Sequence, residues 1–201
     1  MPYLVFDLEM TGPEPDYNEI IQIGAEIYDD EWNKKGEYLT NVYPENEDAF
    51  SGHSEEIHGI SLDDLDEAPM MYDVLEEFLA WIRKSLYWPA DEPLWKVICC
   101  GQSVINDINF LSYAFKKEKL KWPFSWQLID LHTISYYGFM ILEKNGKPVP
   151  KSHSLENVAK YFGFTRESDT HNALEDAKLT AQCLNAFFEM TGELHLKEVS
   201  D

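Results

Sequence analysis

The sequence predicts an α/β protein, a mixed central sheet of about five strands flanked by helices. Strand-like segments fill the first forty-odd residues, one continuously apolar strand lies mid-chain, and helical periodicity dominates the remainder of the chain. Tyr3 to Glu9 is rich in β-favouring residues and stops at Thr11-Gly12-Pro13. Glu19 to Tyr28 reads as a second strand, Asp29 to Gly36 as a polar turn, and Glu37 to Tyr43 as a third, antiparallel strand. From Pro44 to Pro69 the chain is acidic and turn-rich, a surface connection with short helical pieces. Met71, Val74, Leu75, Phe78, Leu79 and Ile82 recur at helical spacing, in a helix that ends near Tyr87 ahead of Pro89. Trp95 to Cys100 has the composition of a buried strand, Asp107 to Phe115 reads as a helix, and Leu128 to Leu131 starts a further element. Asn145-Gly146 marks a turn in a loop with three lysines. Ser154-Leu155-Glu156 opens a short helix closed by Gly163, and Leu174 to Met190 forms the last helix.

The 201 residues are expected to form one domain, residues 1–201, long enough to bury a full core. A hydrophobic content of 44% excludes a disordered chain, and no apolar run approaches the length of about 18 residues that suggests a membrane span. The start of the chain shows no basic leader ahead of Tyr3-Leu4-Val5-Phe6, so no secretory signal is expected. Cys99, Cys100 and Cys183 form no C-x-x-C pair, which argues against a disulfide framework or a zinc site and makes a reducing cytoplasm the expected location. The net charge of −21 has the wrong sign for coating nucleic acid. Lysines cluster at 116, 117, 119 and 121 and again at 144, 147 and 151. A nucleic-acid partner would therefore be held through metal ions and a small basic patch, over a few nucleotides.

Four acids and one histidine carry the chemistry. Asp7 and Glu9 stand two apart in the first strand, so they share a face with Cα atoms about 6.5 Å apart. Both can reach one cation or a close pair, although an acid pair at a strand end is also common in solvent. Gly12 just past the strand allows a tight turn that leaves backbone free to approach a ligand. Asp107 follows the mid-chain strand near a helix start, where the dipole alone favours an acid. His171 and Asp176 would diverge by about 140° on one ideal helix. Asn172 with Glu175 three residues later is an N-cap arrangement, however, so the helix begins at Ala173. Asp176 then lies in the first turn and His171 in the preceding loop, a layout suited to a metal ligand beside a general base.

In order along the chain, these residues resemble the DEDDh exonuclease family, whose ribonuclease-H-like fold includes the proofreading subunits of bacterial replicative polymerases. The resemblance is carried by Phe6-Asp7-Leu8-Glu9-Met10-Thr11-Gly12, by Asp107-Ile108-Asn109-Phe110-Leu111, and by His171-Asn172-Ala173-Leu174-Glu175-Asp176-Ala177. Ile57-His58-Gly59-Ile60 and Ser154-Leu155-Glu156-Asn157-Val158-Ala159 add two further signatures, so the match spans about residues 3–190. The Asp-Leu-Glu-Met-Thr-Gly string also resembles oligoribonuclease, whereas the other two signatures fit the proofreading branch better.

The resemblance implies that Asp7, Glu9, Asp107 and Asp176 bind two divalent ions, Mg²⁺ or Mn²⁺, for which all-oxygen ligation is suited. Such ions lie about 3.5–4 Å apart and clamp the attacking water and the leaving 3′ oxygen. His171 would take the proton of that water, and nucleoside 5′-monophosphates would leave a single-stranded DNA or RNA 3′ end. Met10, Thr11 and Gly12 would meet the terminal nucleotide, with His58 and Phe110 packing on its base or sugar. A homodimer and association with a polymerase both stay open, and no membrane partner is expected. Pro13 stands where many relatives have leucine, and Gln102-Ser103 replaces a common His-Asn, which alters the support of Asp107. Two readings compete with this one: an oligoribonuclease-like or small-nucleotide phosphodiesterase, and a non-catalytic nucleic-acid-binding relative.

Overall fold

The computed structural model describes residues 1–166 and 172–192. Its sheet has five strands, β1 (Tyr3–Met10), β2 (Ile20–Tyr28), β3 (Lys34–Asn41), β4 (Ile98–Gly101) and β5 (Leu128–Asp130), in the order β3-β2-β1-β4-β5. β1 pairs antiparallel with β2 and parallel with β4. β2 pairs antiparallel with β3, and β4 pairs parallel with β5. The helices are α1 (Gly52–His58), α2 (Met71–Ser85), α3 (Ile105–Lys117), α4 (Leu131–Lys144), α5 (Leu155–Phe162) and α6 (Ala173–Thr191).

Strand alternation divides the core between two faces. Leu4, Phe6 and Leu8 of β1 and Cys99 of β4 pack with Val74 and Phe78 of α2 and Leu111 and Phe115 of α3. Val5 and Cys100 pack on the other face with Leu131 and Phe139 of α4, Val158 of α5 and Leu184 of α6. Asp7 and Glu9 continue the second series, on the face covered by α6. All three cysteines are buried free thiols, and burial pushes the Cys183 thiol up to about 12.

Two elements differ from the sequence expectation, and the structure gives a third its type. β3 starts at Lys34, because Trp32 at φ 63° lets the chain reverse within residues 29–33. The segment expected as a strand from Trp95 is a helical turn at Leu94–Lys96 before β4, and Trp95 is 61% exposed. The element opening at Leu128 is a three-residue strand that passes directly into α4 through Asp130, whose carboxylate caps the His132 N–H. Among the described residues, no helix is long and apolar enough to cross a membrane.

Candidate active site

Three segments distant in sequence bring carboxylates to the C-terminal end of β1. Asp7 and Glu9 lie opposite Gly24 and Gln22 of β2. Both β2 residues seat α6. A Cβ at position 24 would lie 2.0 Å from Leu174 N and 2.1 Å from Ala173 C, so only glycine lets the first turn of α6 rest on the strand. The Ala173 N–H donates to Gln22 Oε1 (3.0 Å), and Gln22 Nε2 donates to Asn41 Oδ1 (2.9 Å) on β3. Asn172 is the N-cap, its side chain accepting from the Leu174 and Glu175 N–H groups, as its spacing predicts. Asp176 in that first turn then faces β1. Ligand oxygens of Asp7, Glu9 and Asp176 all lie within 4.8 Å of one another.

Asp107 arrives from the other side of the sheet. β4 pairs with β1 only as far as Val5, since the strand ends at Gly101. Beyond that point the edge of β1 is open, and the Leu8 N–H donates to Asp107 Oδ1 (3.1 Å). The acid thus closes a gap in the backbone ladder while it stands beside Asp7. Ser103, at φ 54°, turns the chain between β4 and α3, and its N–H donates to Asp130 Oδ1 (2.9 Å).

The acids line a cleft of about 390 Å³ with Met10, Gln102, Asn106, Ser154, Leu155, Glu156 and Arg166. The Ser-Leu-Glu signature at the start of α5 therefore reaches the site. Gln102 is tied to the α5 approach, its Nε2 donating to the His153 carbonyl (2.9 Å). Met10 is half-buried at the cleft wall. Thr11 is fully buried, with its N–H on the Glu19 carbonyl and its Oγ1 accepting from the Glu19 N–H; Gly12 beside it is closed in by the Asn18 side chain. His58 is buried at the end of α1, accepting the Ile60 N–H at Nδ1 and lying edge-on to Phe50. Phe110 is buried in the core on the α2–α3 face of the sheet. The cleft wall thus includes Met10, whereas His58 and Phe110 lie outside it. His171 lies outside the described residues.

Sequence reasoning did not identify Arg166. Its Nε donates to Asp176 Oδ1 (2.5 Å) and its Nη2 to Oδ2 (2.9 Å), a bidentate pair inside the cleft. The one signal was its rarity, since Arg83 and Arg166 are the only arginines of the chain.

Crowded, partly desolvated acids resist ionisation. Burial, followed by the charges of Asp107, Glu9 and Asp176, holds the Asp7 carboxyl well above the usual carboxylate range, and Arg166 opposes this. Burial, then Asp176 and Asp107, push Glu9 up to about 8, again against Arg166. Asp107 is pushed up to about 7, mainly by burial, with its own and the Leu8 N–H opposing and Asp130 adding. Among the described residues, Glu9 Oε1 is buried without a hydrogen-bond partner. An all-carboxylate cluster of this kind, with an unpartnered buried oxygen, fits a hard divalent cation.

The chain is 28% identical to the DNA polymerase III PolC-type protein of Thermotoga petrophila over 199 residues, 99% of this chain and 13% of that protein. It is 29% identical to exonuclease DPD1, chloroplastic/mitochondrial, of Arabidopsis thaliana, over 96% of this chain and 57% of the relative. It therefore spans less than two thirds of the length of these relatives. The fold superimposes on the nuclease domain of 3′hExo, a DEDDh family member bound to rAMP, with a TM-score of 0.74 at 21% identity, over 99% of this chain and 97% of that one. The model of the RNase_T exonuclease family matches residues 4–184, which contain all four acids of the cleft, and the chain belongs to that family.

Proposed function

We infer that this chain is a metal-dependent 3′–5′ exonuclease, which hydrolyses single-stranded DNA or RNA from the 3′ end and releases nucleoside 5′-monophosphates. The observation that carries the reading is the convergence of Asp7, Glu9 and Asp176, with oxygens within 4.8 Å, beside a fourth acid fixed to the neighbouring backbone. Asp7, Glu9, Asp107 and Asp176 would hold two divalent cations, Mg²⁺ or Mn²⁺. When bound, such ions lower the pKa of a water and stabilise the leaving 3′ oxygen.

The chain's own groups supply the rest. His171, just ahead of the Asn172 cap, would take the proton of the attacking water, whose oxygen bonds to phosphorus as the bond from phosphorus to the 3′ oxygen breaks. The polar wall formed by Gln102, Asn106 and Ser154 would orient the phosphodiester, and Met10 would contact the terminal nucleotide. Thr11 and Gly12 would meet that nucleotide beside Met10, with His58 and Phe110 packing on its base or sugar. We take residues 1–201 as one exonuclease domain, with its motifs within about 3–190.

A 5′-labelled oligonucleotide incubated with Mn²⁺ should shorten stepwise from its 3′ end with release of mononucleotides, and Asp7→Ala should abolish this with the fold retained. An intact oligonucleotide after incubation with folded wild-type protein would reject the reading. The strongly acidic surface and the small cleft also suit a small-nucleotide phosphodiesterase. Competition between a dinucleotide and a long strand separates the two, since the first reading expects the long strand to be turned over at comparable efficiency.

A further inference from the structure

Arg166 is the one cation among the described residues that line the carboxylate cleft. Its guanidinium takes both oxygens of Asp176, and only 20% of its side chain and 6% of that of Asp176 are exposed. The same Asp176 carboxylate offers an oxygen to the cluster with Asp7 and Glu9. A guanidinium fork and a divalent cation compete for one carboxylate edge, because each needs the same lone pairs. A planar fork that cannot lose its charge is also matched to two oxygens of a phosphodiester. Among the described residues, the cleft offers an entering phosphate no other positive side chain.

We propose that Arg166 is an exchangeable positioning residue: it clamps Asp176 in the metal-free protein, and passes to the phosphodiester of the bound 3′ end when a divalent cation takes that carboxylate. The inference rests on the exonuclease reading. It assigns the arginine two opposed effects, weakening metal binding and strengthening substrate binding. A residue that merely holds Asp176 in place would strengthen both.

The test is Mn²⁺ binding by calorimetry without substrate, with KM for a single-stranded oligonucleotide at saturating Mn²⁺, in wild type, Arg166→Gln and Arg166→Lys. Arg166→Gln should bind Mn²⁺ about tenfold more tightly and show a KM about tenfold higher, the scale of one charge-assisted bidentate contact. Arg166→Lys, which keeps the charge without the fork, should move both constants in the same directions by less. Circular dichroism establishes that each variant is folded, and Arg166→Lys carries the test if the glutamine variant is not. Unchanged or weaker Mn²⁺ binding, or an unchanged KM, overturns the proposal. A wild-type protein that neither binds Mn²⁺ nor shortens the oligonucleotide would instead defeat the exonuclease reading. Normal wild-type behaviour with an unaltered variant defeats the clamp alone.

Discussion

Asp7 stands at the centre of the acid cluster, and its neighbours Asp107, Glu9 and Asp176 all oppose its charge. Neutralising it removes that repulsion and the cost of burying a charge, because an amide of the same shape fits the position. Asp7→Asn should therefore abolish hydrolysis and yet stabilise the metal-free protein. A gain of about 1 kcal/mol corresponds to about 2–4 °C in Tm for a chain of this size. A thermal melt in EDTA reads the effect, and an unchanged or lowered Tm would show that the cluster is not electrostatically frustrated. Loss of activity with a gain in stability is the pattern expected where function, and not folding, requires the charge.

The seat of α6 on β2 decides whether Asp176 reaches β1. Leu174 and Ala173 backbone atoms would lie within 2.1 Å of a Cβ at position 24, and backbone cannot swing aside as the end of a side chain can. Gly24→Ala should push the first turn of α6 off the strand and break the Ala173–Gln22 bond. The expected cost is at least about 1–3 kcal/mol, the range for overpacked cores. Urea denaturation measures that cost, and Mn²⁺ titration should show weakened binding, since Asp176 moves away from Asp7 and Glu9. Full metal affinity in a folded alanine variant would mean that α6 is not the element that sets the site.

For the molecule as a whole, the cleft links stability to pH and to cations. Folded Glu9 and Asp107 hold protons up to about 8 and about 7, whereas unfolded carboxylates release them near about 4. The folded state binds more protons between these values, so this contribution is complete below the unfolded pKa and is lost as pH rises through 7 to 8. In EDTA, Tm should fall from about pH 6 to about pH 8.5. Divalent cations require the ionised acids, so the stabilisation produced by Mg²⁺ should grow over the same interval. Calorimetric scans with and without Mg²⁺ measure both trends, and a Mg²⁺ effect that does not change with pH would contradict the linkage.

Local features are written in the sequence alone. The two-residue period of a strand places Asp7 and Glu9 on one face, and the Asn172 cap places Asp176 in the first turn of α6; each needs only a few adjacent residues. The α/β class was legible for the same reason, because hydrophobic periodicity is written segment by segment. The boundaries of β3 and β4 were not, since Trp32 in the left-handed region and the helical turn at Leu94–Lys96 answer to their surroundings. The rest of the site is a product of tertiary packing. Asp107 bonds Leu8 because β4 stops short of it, and α6 approaches Asp7 because Gly24 has no side chain. Each depends on strand register and helix seating between segments up to about 150 residues apart, and such long-range packing leaves no periodic mark in the chain.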